Sequence, residues 1–179
     1  HPIPRRQRQM CIRDRYNRIK IMYERFGQFI DGKWQKSQNN ETYEVINPAT
    51  EEILGHASKA CREDVEKALL SSESGFKKWR NTTPWERSKV LRNIADKIRE
   101  KKDVLAKWMT LEVGKPLAEG VAEAGGAADI FEWNSDETKR IYGQTVESRF
   151  KDTRIHIYYQ PIGVVAALSP WNFPLVLSA

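Results

Sequence analysis

The strongest constraint on the fold is the segment GVVAALSPWNFP at residues 163–174, where five consecutive apolar residues lead into a turn bounded by two prolines. An apolar run that follows glycine and precedes proline predicts a strand buried on both faces of a parallel sheet. Pro170 and Pro174 restrict their own backbone angles and those of the residues before them, so the intervening Trp-Asn-Phe is rigid. Pro174 also suits the first position of a helix. Strand, tight turn and helix form half of a doubly wound α/β unit.

Asn172 lies at the carboxyl end of this predicted strand, which is where ligands bind in doubly wound sheets. Its amide is neither a base nor a nucleophile at neutral pH, but it can donate a hydrogen bond without bringing charge. Such a donor suits an oxygen that becomes negative during a reaction. Alternatively, Asn172 caps the next helix or closes the turn, as asparagine often does. Taken alone, the residue favours this second role.

Four stretches of the chain resemble the aldehyde dehydrogenase superfamily. Residues 161–174 (PIGVVAALSPWNFP) closely resemble the signature around that family's oxyanion asparagine. The other three are FIDGKW at residues 29–34, INPAT at 46–50 and LEVGKPLAE at 111–119. Each match alone is weak, but four in the family's order are specific. The form of residues 131–146 and the SPWNFPL turn look most like the succinate-semialdehyde dehydrogenase branch.

The resemblance implies the oxidation of an aldehyde, and more narrowly of a semialdehyde, to a carboxylic acid with NAD or NADP. In the family a cysteine thiolate attacks the carbonyl, an asparagine amide and a backbone N–H hold the oxyanion, and a glutamate activates water. Asn172 occupies the position of that catalytic asparagine. The implied substrate is a small-molecule aldehyde, and no metal is implied.

The resemblance also assigns residues on either side of Asn172. Trp171 and Phe173 have an alternative role in ordinary core packing. By analogy, the cofactor lies along the backbone of Leu168, Ser169 and Pro170 and along the indole of Trp171. The phenyl ring of Phe173 lines the aldehyde tunnel.

We expect this chain by itself to be an inactive N-terminal fragment, because the family's nucleophilic cysteine, glutamate base and ribose-binding lysine come later than the matched stretches. Two other classes stay open. The first alternative is a non-catalytic structural or interaction protein on the same fold, since fold does not dictate function. The second alternative is a related enzyme that acts on acyl phosphates. A downstream cysteine and glutamate would distinguish the dehydrogenase from the structural protein.

Charge is distributed unevenly along the chain. Residues 1–20 hold seven of the 30 basic residues and one of the 24 acidic ones, so the remaining 23 of each sign balance. This distribution argues against a nucleic-acid-binding domain. Residues 1–21 are interpreted as a non-native leader with Met22 as the start; an organelle presequence and, last, a nucleic-acid-binding arm are the alternatives.

The rest of the chain divides into three segments: residues 22–144 as the start of a cofactor-binding domain, 145–160 as a strand of an oligomerisation element, and 161–179 as the first strand and turn of a truncated Rossmann-like sheet. No apolar run is long enough to cross a membrane. Two cysteines form no disulfide framework, so a reducing cytoplasm is the default location.

Local patterns predict the elements before residue 160. The predicted elements are a hairpin at Asp31-Gly32, strands at 42–46 and 53–57, a helix from Arg62, a second helix capped by Thr83 that runs past Met109 to a stop at Gly114, a third helix at 117–141 with a close contact or kink at Gly125-Gly126, and a half-buried strand at 153–159.

The strand at residues 153–159 needs a partner along its edge, and in the similar family this region pairs subunits, so we expect a homo-oligomer. His156 on this strand is interpreted as an interface or surface residue, because no carboxylate or nucleophile accompanies it in the sequence. Cys61 falls at a helix start, which can activate a thiol, but it lacks a neighbouring base and is interpreted as structural.

Overall fold

The computed structural model describes residues 27–179, so the predicted leader at 1–21 and the predicted start at Met22 lie outside the described residues. The described part contains both helices and short strands, which confirms the predicted α/β class. The strands form three separate antiparallel pairs. In chain order the elements are β1 (Gln28–Ile30), β2 (Lys33–Gln35), β3 (Thr42–Ile46), β4 (Ile53–Ser58), α1 (Arg62–Trp79), α2 (Pro84–Glu100), α3 (Lys102–Val113), α4 (Leu117–Glu137), a 3₁₀ turn (Thr138–Arg140), β5 (Gln144–Glu147), β6 (Arg154–Ile157) and a second 3₁₀ turn (Val176–Ser178).

The described residues divide into two compact units. The first contains the residues up to Ser74 together with Lys107–Leu117, and the second contains Gly75–Ala106 together with Ala118–Ala179. The first unit therefore holds the hairpins β1–β2 and β3–β4, whereas the second holds α2, nearly all of α4 and the hairpin β5–β6.

Both hairpins of the first unit follow from local sequence. Asp31 and Gly32 have φ angles of 53° and 72°, which is the left-handed pair that a two-residue primed turn requires. After β3, the Oδ1 atom of Asn47 accepts the N–H of Ala49 at 2.9 Å and closes the turn that precedes β4. The predicted hairpin and both predicted strands are confirmed, with β4 one residue longer than expected.

A buried carboxylate, Asp64, ties the start of α1 to the hairpin β1–β2 and the loop after it. Its Oδ2 accepts hydrogen bonds from Ser37 Oγ at 2.6 Å, Gln28 Nε2 at 3.1 Å and the Cys61 backbone N–H at 3.1 Å. The Cys61 thiol donates to the same oxygen at 3.2 Å. These donors, the Ser37 hydroxyl foremost, hold the pKa of Asp64 far below its usual range.

Replacing Asp64 with alanine is expected to lower the Tm of the chain by roughly 5 °C or more, because the buried Ser37 hydroxyl and the part-buried donors of Gln28 and Cys61 lose their acceptor. The stability from Asp64 is fully present above its unfolded pKa of about 3.9 and is lost as pH falls toward the lower folded pKa. Thermal melts followed by circular dichroism at pH 7 and near pH 3 measure both effects. Glu66→Ala, which removes only an exposed i,i+4 pair with Arg62, is the control and is expected to change little. Equal shifts for the two variants would contradict the assignment.

The second unit is built around close contacts between α2, the start of α3 and α4. Ser135 Oγ on α4 donates to the Ser88 carbonyl on α2 at 2.9 Å, so the Ser88 hydroxyl, 3.0 Å from Ser135 Oγ, is the donor of that second bond. Small side chains allow the helices to approach this closely. The fully buried alanines of this unit are Ala95, Ala106, Ala124, Ala127 and Ala128.

Ion pairs cover the outer edge of the contact between α2 and α4. Arg92 bonds to Glu132 and, at 3.1 Å, to Asp136 Oδ1. Arg99 bonds to Glu132 and, at 2.8 Å, to Asp129 Oδ1. The hydrogen bond to Asp129 is the main reason that the pKa of Arg99 is raised. Glu132 thus bridges two arginines that lie about two helical turns apart on α2.

The predicted capping box is confirmed, because the Thr83 hydroxyl accepts the Glu86 N–H and the Glu86 carboxylate accepts the Thr83 N–H. The prediction of one continuous helix from there past Met109 is wrong. The helix breaks at Lys101, which has φ −102° and ψ 8°. All five residues 99–103 are charged, so the apolar face of the predicted helix is interrupted there. No continuous line of packed apolar side chains keeps α2 and α3 on one helix axis.

The close helix contact that was predicted at Gly125-Gly126 also lies elsewhere on α4. A methyl group on Gly125 would meet nothing within 4 Å, whereas one on Gly120 would lie 2.9 Å from the Ala106 carbonyl oxygen. Gly120 is therefore the position of close packing. The helix itself ends at Glu137 and continues as a 3₁₀ turn through Arg140, close to the predicted end at 141.

Residues 164–168 differ from the predicted buried strand. They form no strand among the described residues, and Val165 and Leu168 are 69% and 95% exposed. A strand of a parallel sheet needs neighbouring strands for its hydrogen bonds and side chains, and residues 27–179 contain only antiparallel pairs. The helix predicted from Pro174 is likewise reduced to the 3₁₀ turn Val176–Ser178.

The strand predicted at residues 153–159 is shorter and more exposed than expected. It forms as β6 and pairs with β5, with Glu147 opposite Arg154 and Gln144 opposite Ile157. All residues of both strands are exposed, so the expected half-burial is wrong for the chain alone. No other element among residues 27–179 buries a residue of these two strands.

Candidate functional site

The predicted site residues lie along one exposed segment, residues 168–173, whose last three residues belong to a turn. Residues 171–175 form turns and a bend, and Asn172 in their centre is exposed. Trp171 and Phe173 on either side of it are 78% and 46% exposed, so neither is a core residue in this chain. Leu168, Ser169 and Pro170, which precede them, have no regular secondary structure and are exposed as well. The arrangement can present an amide donor between two aromatic rings.

Local bonds close the turn on its carboxyl side. The Leu177 N–H donates to the Phe173 carbonyl at 3.3 Å. The Ser178 hydroxyl donates to the carbonyls of Pro174 and Leu175 at 3.0 and 2.9 Å. The segment after Asn172 is therefore a compact helical turn, even though it is too short to form the predicted α-helix.

Glu123 on α4 contacts this turn from a distance of 52 residues along the chain. Its side chain is buried, and its Oε1 accepts the backbone N–H groups of Leu175 at 2.9 Å and Val176 at 3.3 Å. Three residues further along the same face of α4, Gly126 leaves room for Val176, whose Cγ2 would lie 3.6 Å from an added methyl group. Sequence analysis missed Glu123. The only local signal was a carboxylate within the otherwise small and apolar stretch AEAGGAA.

The other candidate side chains lie in separate settings. The Cys61 thiol donates to Asp64 at the start of α1, and His156 Nδ1 lies 3.1 Å from Thr145 Oγ1 on the exposed hairpin β5–β6. An open concavity of about 660 Å³ is lined by residues 140–144 and Tyr159, none of which was predicted as a site residue.

Two kinds of feature are absent from residues 27–179. No group of three or more histidine, cysteine, aspartate or glutamate side chains in this part of the chain is arranged to hold a metal ion. No helix there combines the length and the hydropathy that a membrane span requires.

Comparisons with known proteins agree on one family. The model described as "Aldehyde dehydrogenase family" matches residues 34–179. Glutarate-semialdehyde dehydrogenase of Pseudomonas aeruginosa is 43% identical over 146 residues, which are 82% of this chain and 30% of that protein. The NADP(+) succinate-semialdehyde dehydrogenase of Escherichia coli is 41% identical over 148 residues, which are 83% of this chain and 31% of that protein.

Solved structures give the same result. A crystal structure of an E. coli NADP-dependent enzyme superimposes with a TM-score of 0.81 at 40% identity, over 86% of this chain and 32% of that one. A Staphylococcus aureus betaine aldehyde dehydrogenase in complex with NAD+ superimposes with a TM-score of 0.81 at 34% identity, over 88% and 32%. The chain thus spans about 30% of the length of the curated relatives that it matches.

Proposed function

The chain belongs to the aldehyde dehydrogenase family, and from this premise we propose that it supplies the oxyanion donor of an enzyme that oxidises a semialdehyde to a carboxylic acid with NAD or NADP. The observation that carries the proposal is the exposed amide of Asn172 on a turn between Trp171 and Phe173, held at its carboxyl side by bonds to Glu123. The described residues match the N-terminal part of the family's fold.

In the proposed reaction the amide of Asn172 donates a hydrogen bond to the carbonyl oxygen of the aldehyde. When a nucleophile adds to the carbonyl carbon, this oxygen becomes negative and the same hydrogen bond strengthens, so the donor stabilises the transition state more than the bound aldehyde. An uncharged donor suits this role because it does not need to lose a proton or a counter-ion as charge develops. Phe173 provides an apolar wall for the aldehyde.

When bound, a nicotinamide cofactor would supply the acceptor for the hydride that is lost in the oxidation. The residues proposed to contact it are Leu168, Ser169, Pro170 and Trp171. They suit a dinucleotide because the segment is exposed, its backbone is not hydrogen-bonded within a sheet of the described residues, and Trp171 is 78% exposed, which allows a ring contact. The name of one relative contains NADP(+), and another relative was solved in complex with NAD+, so either dinucleotide is supported.

The narrower assignment to semialdehydes rests on two relatives whose names contain glutarate semialdehyde and succinate semialdehyde. Homo-oligomerisation is proposed through the hairpin β5–β6, whose isoleucines 155 and 157 are 46% and 39% exposed along an open edge. A cytoplasmic location stays a prediction from the cysteine content.

A hybrid enzyme tests the proposed function. Residues 34–179 of this chain replace the matching segment of the E. coli succinate-semialdehyde dehydrogenase, and NADPH formation is followed with succinate semialdehyde. We expect turnover that depends on the aldehyde, whereas the 179-residue chain alone is expected to show none.

The other outcomes separate the alternatives. A hybrid that folds cooperatively but forms no NADPH would contradict the proposal and support a non-catalytic protein on this fold. Activity that required added inorganic phosphate would support the related acyl-phosphate enzyme instead. Turnover by the 179-residue chain alone would contradict its expected inactivity.

A further inference from the structure

Glu123 is a buried carboxylate for which the proposed reaction has so far no use. It lies on α4, is 5% exposed, and directs Oε1 at the backbone of the segment that follows Asn172. A carboxylate that accepts backbone N–H groups makes charge-assisted hydrogen bonds, which are stronger and geometrically stricter than neutral ones. The two N–H groups belong to Leu175 and Val176, three and four residues beyond Asn172.

The short chain between Asn172 and these N–H groups has few ways to move. Pro174 lies within it and has a fixed φ angle, and the Phe173 carbonyl accepts the Leu177 N–H at 3.3 Å. The contact of Val176 with α4 at Gly126 limits the same segment from the side. Displacement of Leu175 relative to α4 therefore displaces the amide of Asn172.

We propose that Glu123 is a positioning residue for the oxyanion donor: its carboxylate attaches the turn to α4 and so sets where the Asn172 amide stands. The inference rests on the proposed function, because it needs Asn172 to act on the substrate oxygen. A shift of about 1 Å at a catalytic group can lower a rate about 100-fold, so loss of this attachment affects the chemical step. Binding of the aldehyde, which uses the donor less, changes little.

The attachment itself can be measured in the 179-residue chain. Amide hydrogen exchange of Leu175 and Val176, followed by NMR, is expected to be about tenfold faster or more in Glu123→Ala than in the unsubstituted chain. Glu123→Gln keeps one acceptor oxygen without the charge and is expected to fall between them. Glu119→Ala, an exposed glutamate one turn earlier on α4, is the matched control and is expected to leave these amides unchanged. Unchanged exchange in Glu123→Ala would overturn the inference.

The positioning role is measured in the hybrid enzyme. Glu123→Ala is expected to lower kcat about 10- to 100-fold with KM nearly unchanged, and Glu123→Gln is expected to recover part of the loss. In an Asn172→Ala background the Glu123→Ala change is expected to cost little more, because the group it positions is already absent. An equal loss of kcat in both backgrounds would show a merely structural role and overturn the inference.

A large effect of Asn172→Ala with none from Glu123→Ala would overturn the inference and leave the proposed function intact. No effect of Asn172→Ala on kcat would instead overturn the oxyanion role on which the inference rests.

Discussion

An Asn172→Ala substitution in the hybrid enzyme is expected to lower kcat about 100- to 1,000-fold while KM stays close to its original value. The amide stabilises an oxygen whose negative charge develops only in the transition state, so its removal is felt in the chemical step. The exposed position of Asn172 on the turn means that the methyl group of alanine leaves no buried cavity. Initial rates across a range of aldehyde concentrations separate kcat from KM.

Two further variants sharpen this test. Asn172→Asp has nearly the same shape but carries a negative charge and cannot donate when ionised, so its kcat is expected to be at least as low as that of the alanine variant. Asn134→Ala removes an exposed asparagine of α4 whose side chain donates within its own helix, to the Ile130 carbonyl at 2.9 Å, and is expected to leave kcat unchanged. Full activity in Asn172→Ala would contradict the oxyanion assignment.

Replacing Gly120 with alanine is expected to destabilise the chain by about 1–3 kcal/mol, the usual cost of an added methyl group in a closely packed contact. The new methyl carbon would lie 2.9 Å from the Ala106 carbonyl oxygen and 3.1 Å from the Ala106 Cα. Both atoms belong to the backbone of α3, which cannot rotate away as a side chain can. The midpoint of urea unfolding, followed by tryptophan fluorescence, measures the change.

Gly125→Ala, five residues later on the same helix, is the matched control with the opposite expected sign. A methyl group there meets nothing within 4 Å, so the variant gains helix propensity worth about 0.5–1 kcal/mol. The pair therefore separates the packing effect from the general effect of glycine in a helix. Shifts of the same sign and size for both variants would contradict the assignment of Gly120 as the close contact.

Elements whose cause is local were predictable from the sequence. The Asp31-Gly32 turn formed as expected because two adjacent residues that tolerate positive φ determine a two-residue hairpin. The helix start at Thr83 formed as expected because its capping bonds join residues three apart. The family could also be recognised this way, since the four matched stretches are contiguous runs in a set order.

Elements whose cause is distant were not predictable. The five apolar residues at 164–168 carry the pattern of a buried strand, but a strand forms only where neighbouring strands supply hydrogen bonds and cover. The sequence of α4 predicted a close helix contact at Gly125-Gly126, whereas the close approach of Ala106 is at Gly120. Sequence patterns indicate which residues can pack closely. They do not indicate which distant residue will be in contact with them in the folded chain.

The sequence by itself determined the family, the hairpins β1–β2 and β3–β4, the helix starts at Arg62, Pro84 and Leu117, and the position of Asn172 between two prolines. Each of these depends on a few adjacent residues and their backbone preferences. Only the tertiary structure decided that Glu123 holds the segment beyond Asn172 and that Asp64 joins β1 to α1. Those contacts join residues 52 and 36 positions apart. A buried carboxylate is stable only where donors converge on it, and that convergence exists only after the chain has folded.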